Sequence, residues 1–234
     1  MQPTAPADRE RTEQSLTLSV MPSVASSWLL PRLPGFVSAH PEIDLSVHSS
    51  VDLVDFDREA IDAAMRFGPG SWPGVHIDPL FDEWLLPVAS PVLLARFPDR
   101  DPDELAGLPL LRDPSDRWTD WFARFGGSPP RRYVASFSDT ETLQRAAIEG
   151  IGVALGRMTM AQPMIDHGRL VALSPRPMRA DFSHYLVYPP RLERHPALVA
   201  FRAWLLDAAA AYARTTAQPM KLPRATRARA RRRS

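Results

Sequence analysis

The chain of 234 residues contains no cysteine. That excludes a disulfide framework, a cysteine-based zinc site and a thiol nucleophile. Lysine is nearly as scarce: among the 28 basic residues only Lys221 is a lysine. We read that bias as genome composition rather than mechanism. Long apolar runs are missing too. The longest, Trp84 to Ala95, covers about 12 residues and is interrupted by Pro87 and Pro91, whereas a hydrocarbon layer needs about 20. The opening MQPTAPADRERTEQ lacks the apolar centre of a secretory signal. There is no internal repeat. The expectation is a cytoplasmic protein without a membrane role.

What is present fits a globular protein: 44% hydrophobic and 24% charged residues, in a chain long enough to bury a core. At roughly 100–200 residues per domain, it fits one large domain or two small ones. The net charge of +1 conceals an asymmetry. Residues 215–234 carry seven basic groups and no acid, leaving 21 basic against 27 acidic residues in 1–214, a net of −6. An acidic body repels phosphates. The Pro-, Ala- and Arg-rich end has almost nothing to bury and is expected to be disordered, touching nucleic acid only through charge.

The apolar pattern alternates between strand and helix periods. Leu16, Leu18 and Val20 alternate as in a strand, as do Ile43, Leu45 and Val47. Between them, Trp28 to Val37 has helical spacing broken by Pro31 and Pro34, which predicts a kinked or late-starting helix. Ile61 to Phe67 reads as a third strand and Val75 to Ala89 as extended. Asp101 to Leu105 reads as a short helix. Trp118, Trp121, Phe122 and Phe125 form a helical stripe. Tyr133 to Phe137 reads as a strand; Ser138 or Asp139 then caps a helix through Glu149, which Gly150 stops. Val153 to Leu155, Leu170 to Leu173 and His184 to Tyr188 read as strands, and a last helix runs from Pro196 to about Tyr212. A β-α-β beginning that returns to the sheet argues an α/β architecture.

Few motifs point to chemistry. Gly150, Gly152 and Gly156 have the wrong spacing for a dinucleotide loop, and they follow a helix rather than a strand. The six histidines have no metal-ligand spacing, and no G-x-S-x-G elbow exists. Asp52, Asp55, Asp57, Glu59 and Asp62 form an acidic cluster that reads as a solvated loop and helix start. No catalytic residue, metal or cofactor is expected. Two strand-to-helix junctions are better binding candidates. In Pro22 to Ser27, free N–H groups and hydroxyls suit a carboxylate or other small anion. Ser136, Asp139 and Thr140 mark the second junction. Helix capping is the alternative role for each hydroxyl.

Several runs carry a family resemblance: PSVASSWLLPRLPGFVSAHPEIDL at 22–45, LVDFDREAIDAAMRFGPGSWPGV at 53–75, EWLLPVASPVLL at 83–94 and TLQRAAIEGIGVALGR at 142–157. RWTDWF at 117–122, GRLVAL at 168–173, HYLVYP at 184–189 and FRAWLL at 201–206 continue it in order. Residues 15–210 resemble the effector-binding domain of LysR-type transcriptional regulators, in the glycine-cleavage-activator-like subgroup. The resemblance implies a periplasmic-binding-protein-like type 2 fold: two α/β lobes joined by crossover strands, with an effector cleft between. It implies lobe I at 15–88 plus 189–213 and lobe II at 89–188. Residues 1–14 and 214–234 remain as disordered ends. Effector contacts carry over to Ser23, Val24, Phe67, Gly68, Asp139 and Thr140. The effector is expected to be an organic acid or amino acid, and the domains to pair as a homodimer.

The family's N-terminal helix-turn-helix is not found in the 14 residues before the first strand, so sequence-specific DNA binding by this chain alone is not expected. The alternative is a stand-alone cytoplasmic small-molecule binding protein of the same fold with no direct DNA role. A transporter's solute-binding protein would need export.

Overall fold

The computed structural model describes residues 13–98, 105 and 107–216. In chain order the first elements are β1 (Ser15–Val20), α1 (Pro22–Val24), α2 (Leu33–Ala39), β2 (Asp44–Ser49), β3 (Ala63–Gly68) and β4 (His76–Ala89). Then come α3 (Pro91–Leu94), β5 (Leu111–Arg112), α4 (Trp118–Phe125), β6 (Ala135–Ser136) and α5 (Thr140–Ile148). The last are β7 (Ala154–Arg157), α6 (Met158–Asp166), β8 (Val171–Ala172), β9 (Met178–Tyr188) and α7 (Pro196–Thr216). The chain divides into two compact units: residues up to Asp82 with Asp181–Thr215, and Glu83–Ala180. The strands β4 and β9 each start in one unit and end in the other. The switch therefore falls inside these two strands, six to eight residues ahead of the expected ends at 88 and 188. Charged residues stand at both switches, Asp82 and Glu83 in β4 and Asp181 in β9, within strands that continue on either side.

In the first unit β1 lies between two parallel neighbours, pairing Leu16 with Leu45 of β2 and Val20 with Met65 of β3. The strand β9 then adds antiparallel to β3. Leu16, Leu18 and Val20 are fully buried, against Trp28, Phe36, Phe201 and Leu205. The Trp28 ring lies 4.7 Å from Phe81 and 5.9 Å from Tyr212, edge-on to the latter. The expected helix from Trp28 to Val37 is two pieces. Ala25–Leu29 form a π turn, with the Leu30 N–H donating to the Ala25 carbonyl at 2.9 Å. The helix α2 restarts with Pro34 in its first turn, where a missing N–H costs nothing.

In the second unit the latter half of β4 pairs antiparallel with β7, Leu85 opposite Arg157, and with β8, Val88 opposite Ala172. Trp118 and Trp121 are buried on the inner face of α4, and the Trp118 Nε1–H donates to the Leu111 carbonyl at 2.7 Å. The predicted strand at 133–137 shrinks to Ala135–Ser136. Gly150 has a φ of +76°, the left-handed stop expected after α5. The helix α6 answers to no periodicity in the sequence. The short helix at 101–105 and the two chain ends lie largely outside the described residues, although α7 continues past Tyr212 to Thr216.

Candidate functional site

The parallel register of β1 and β3 sets the first group of candidate residues. Because Val20 lies opposite Met65, the chain leaves both strands at the same edge of the sheet. Ser23 and Val24 come three and four residues after Val20, at the start of α1, and Phe67 and Gly68 close β3. The carboxyl edge of a parallel sheet is where α/β proteins receive ligands. The strand β9 completes this edge, with His184 opposite Phe67 and Ser183 opposite Gly68.

Each residue has a definite setting. Met21 is the N-cap of α1 and makes no side-chain cap, so Ser23 is the second residue of the helix and its hydroxyl is not spent on capping. The Ser23 carbonyl accepts from the Ser26 hydroxyl at 3.3 Å. Ser23 is half-buried, while Val24 is buried in the core of the unit. The Phe67 ring packs 4.9 Å from His184 and 5.7 Å from Phe182, edge-on. Gly68 has no room for a side chain: a Cβ there would lie 2.7 Å from Trp72 Cζ2. His184 is buried, its other face 4.7 Å from the Phe81 ring. The Ser183 hydroxyl donates to Asp82 at 2.6 Å.

Asp139 and Thr140 belong to the second unit. Asp139 is the N-cap of α5, its carboxylate accepting the Thr142 N–H at 2.8 Å. That bond lowers the Asp139 pKa below the ordinary carboxylate value. Asp139 is exposed and Thr140, the first residue of the helix, is half-exposed. Glu141 follows in the first turn, matching the helix dipole.

Sequence reasoning passed over His184, Phe182 and Trp72. His184 shares a strand face with Leu186 and Tyr188, so it read as part of an apolar stripe. Its pairing with Phe67 is a tertiary register that no local pattern carries. Among the described residues, no three His, Asp or Glu side chains are grouped to hold a metal ion. The acidic cluster is not a unit either. Asp55 and Asp57 are engaged with Arg58 and Arg191 in an exposed loop of turns rather than a helix start, while Asp62 is buried.

Residues 9–210 match the family model of the LysR substrate binding domain. The chain belongs to that family. It is an effector-binding domain of LysR-type transcriptional regulators, a family without enzymatic activity, and a small-molecule effector is implied. This LysR domain is similar to the glycine cleavage system transcriptional activator of Escherichia coli K12, 38% identical over 200 residues, covering 84% of the chain and 66% of the relative. It is similar at 33% identity to the transcriptional activator AmpR of Rhodobacter capsulatus, covering 83% and 67%. The domain spans about two thirds of the length of these curated relatives. Among solved structures, the effector domain of AmpR from Pseudomonas aeruginosa superposes with a TM-score of 0.73 at 31% identity, covering 88% of this chain and 100% of that one. The mixed α/β fold is thus that of LysR effector domains, of the periplasmic-binding-protein type 2 kind. No helix among the described residues is long and apolar enough to cross a membrane.

Proposed function

We propose that this LysR domain senses a small polar or anionic effector, of the organic-acid or amino-acid type, and serves transcription regulation in the cytoplasm. Ser23, Val24, Phe67 and Gly68 contribute from the first unit, Asp139 and Thr140 from the second. The observation that carries this reading is the β1–β3 register, which delivers Ser23 and Gly68 to one carboxyl edge of the sheet. There the first-turn N–H groups of α1 lack helical partners and favour negative charge. Ser23 adds a hydroxyl that no cap consumes. Phe67 and His184 add flat walls to this edge. The domain acts as a homodimer, pairing through the segment Trp28 to Val37 and the helix Thr140 to Glu149.

Isothermal titration tests the site with a ligand found by thermal-shift screening of amino acids and organic acids. Loss of one hydrogen bond to a charged group costs about 1.5–3 kcal/mol, so Ser23→Ala weakens binding about 10–150-fold. Thr140→Ala weakens it to a similar degree. Unchanged affinity in both variants would place the effector elsewhere.

A further inference from the structure

Arg66 is in the middle of β3, on the face opposite Met65. Ala63 and Met65 belong to the core of the first unit, so alternation turns Arg66 to the other side of the sheet. There it is only 6% exposed. Its Nη2 is buried and has no hydrogen-bond partner in the protein. A guanidinium nitrogen left so is costly, and native folds rarely retain one without a use.

Arg66 lines a cavity of about 610 Å³ that belongs wholly to the first unit. The volume is that of small-molecule pockets in general. Most of its wall is apolar: Val54, Phe56, Trp72, Val75, Val187 and Pro189 contribute. The other cation on the wall, Arg191, is already engaged by Asp57 at 3.1 Å and by the Phe56 carbonyl. Asp55 holds the Asp57 N–H at 3.0 Å and lies 3.6 Å from Arg58. Arg66 is therefore the wall cation whose Nη2 donor is unspent. Burial pulls its pKa down, while Glu59 and Asp52 push it up and help to keep it charged.

We propose that this cavity is a second ligand site, separate from the one containing Ser23, and that it takes a small monocarboxylate with an aromatic or branched apolar body. The carboxylate accepts from Arg66 Nη2–H, and the apolar body packs on Trp72, Phe56 and Val187. The acidic rim, Asp55 and Asp57, disfavours dianions and phosphates.

Fluorine NMR of para-fluorophenylacetate with the full chain tests this. Line broadening is expected on titration, and the neutral para-fluorophenylacetamide should bind at least tenfold more weakly, having lost the charge-assisted bond. Arg66→Gln should weaken the acid at least tenfold and leave the amide unchanged. Ser23→Ala should leave both unchanged. If Arg66→Gln lowers the melting temperature severely, Val75→Trp replaces it: the indole fills the cavity without touching the charge and should abolish binding. No binding of the acid by the wild-type chain, equal affinity for acid and amide, or binding lost in Ser23→Ala but kept in Arg66→Gln would each overturn the proposal. The last outcome would leave the Ser23 site standing.

Discussion

Asp62 brackets Thr17: its backbone N–H donates to the Thr17 carbonyl at 2.8 Å, and its carboxylate accepts the Thr17 N–H at 2.8 Å. One residue thus extends the β1–β3 ladder just before β3 begins. Asp62 is 6% exposed, unlike the other acids of its sequence cluster. Its role is structural. Asp62→Ala leaves the Thr17 N–H without this acceptor and should cost about 1–3 kcal/mol in urea unfolding. Asp62→Asn keeps an acceptor oxygen and should cost less. An Asp62→Ala protein as stable as the wild type would show that the strand edge is held by other contacts.

Gly68 and Trp72 are mutually exclusive with any larger residue at 68. A Cβ there meets Trp72 at 2.7 Å, well inside contact distance. Gly68→Ala must therefore displace the indole, which also packs 5.5 Å from the Tyr185 ring. Overpacking of this kind costs about 1–3 kcal/mol. Trp72→Ala in the same chain removes the clash, so the double variant should be less destabilised than the two single losses added together. Strict additivity would mean that the alanine is accommodated without moving Trp72.

Asp139 caps α5, and its pKa is lowered because the ionised carboxylate accepts the Thr142 N–H. A lowered folded pKa gives stability that is present above the unfolded value and lost as pH falls through the folded one. Asp139→Ala should cost about 1 kcal/mol near neutral pH, the usual loss for an N-cap. Asp139→Asn keeps a capping oxygen and should be nearly neutral there, but without the acid sensitivity of this group. The stability difference between wild type and Asp139→Asn, from denaturant melts across pH, should therefore shift against the wild type below about pH 4. A pH-independent difference would show that the charge plays no part. The Asn variant also separates capping from effector binding, which Asp139→Ala would confound.

The fold was legible wherever one period ran without interruption. The Trp118 stripe, the Asp139 cap and the Gly150 stop are local rules that the structure obeys. Legibility failed where two signals collided. The helix α6 carries Pro163 within it, and its buried residues sit in one run, Met158 to Ala161, rather than on a spaced stripe. The strand β9 starts at Met178, six residues before the apolar run that predicts a strand, because the exposed Arg179, Asp181 and Phe182 interrupt the apolar pattern there. Pro31 and Pro34 announced a break in the first helix, though not that a π turn would fill it. Of the candidate site, the two strand-to-helix junctions point to Ser23, Asp139 and Thr140, and only the family resemblance adds Phe67 and Gly68. The register that sets His184 against Phe67 depends on residues 117 positions apart in the chain, beyond any local pattern.

A homodimer of this domain would bury apolar side chains that a single chain leaves exposed. Leu143 is the obvious apolar residue of α5, but it is 2% exposed within a single chain. A charge there would break the core of the second unit and say nothing about association. Trp28, Leu29 and Phe36 are disqualified in the same way by burial. In that segment Leu30, at 49% exposed, and Val37, at 52%, are large apolar residues left facing out. Burying such side chains contributes up to about 1.5–3 kcal/mol each, and a charge in their place would have to be desolvated. Leu30→Glu with Val37→Glu should therefore weaken self-association at least tenfold. The melting profile of dilute protein should change little, because neither side chain is needed inside the unit. Sedimentation velocity over a range reaching tens of micromolar reads the first effect, and circular dichroism the second. A wild-type chain that stays monomeric across that range would remove the homodimer, and a double variant that dimerises as before would move the interface to another face.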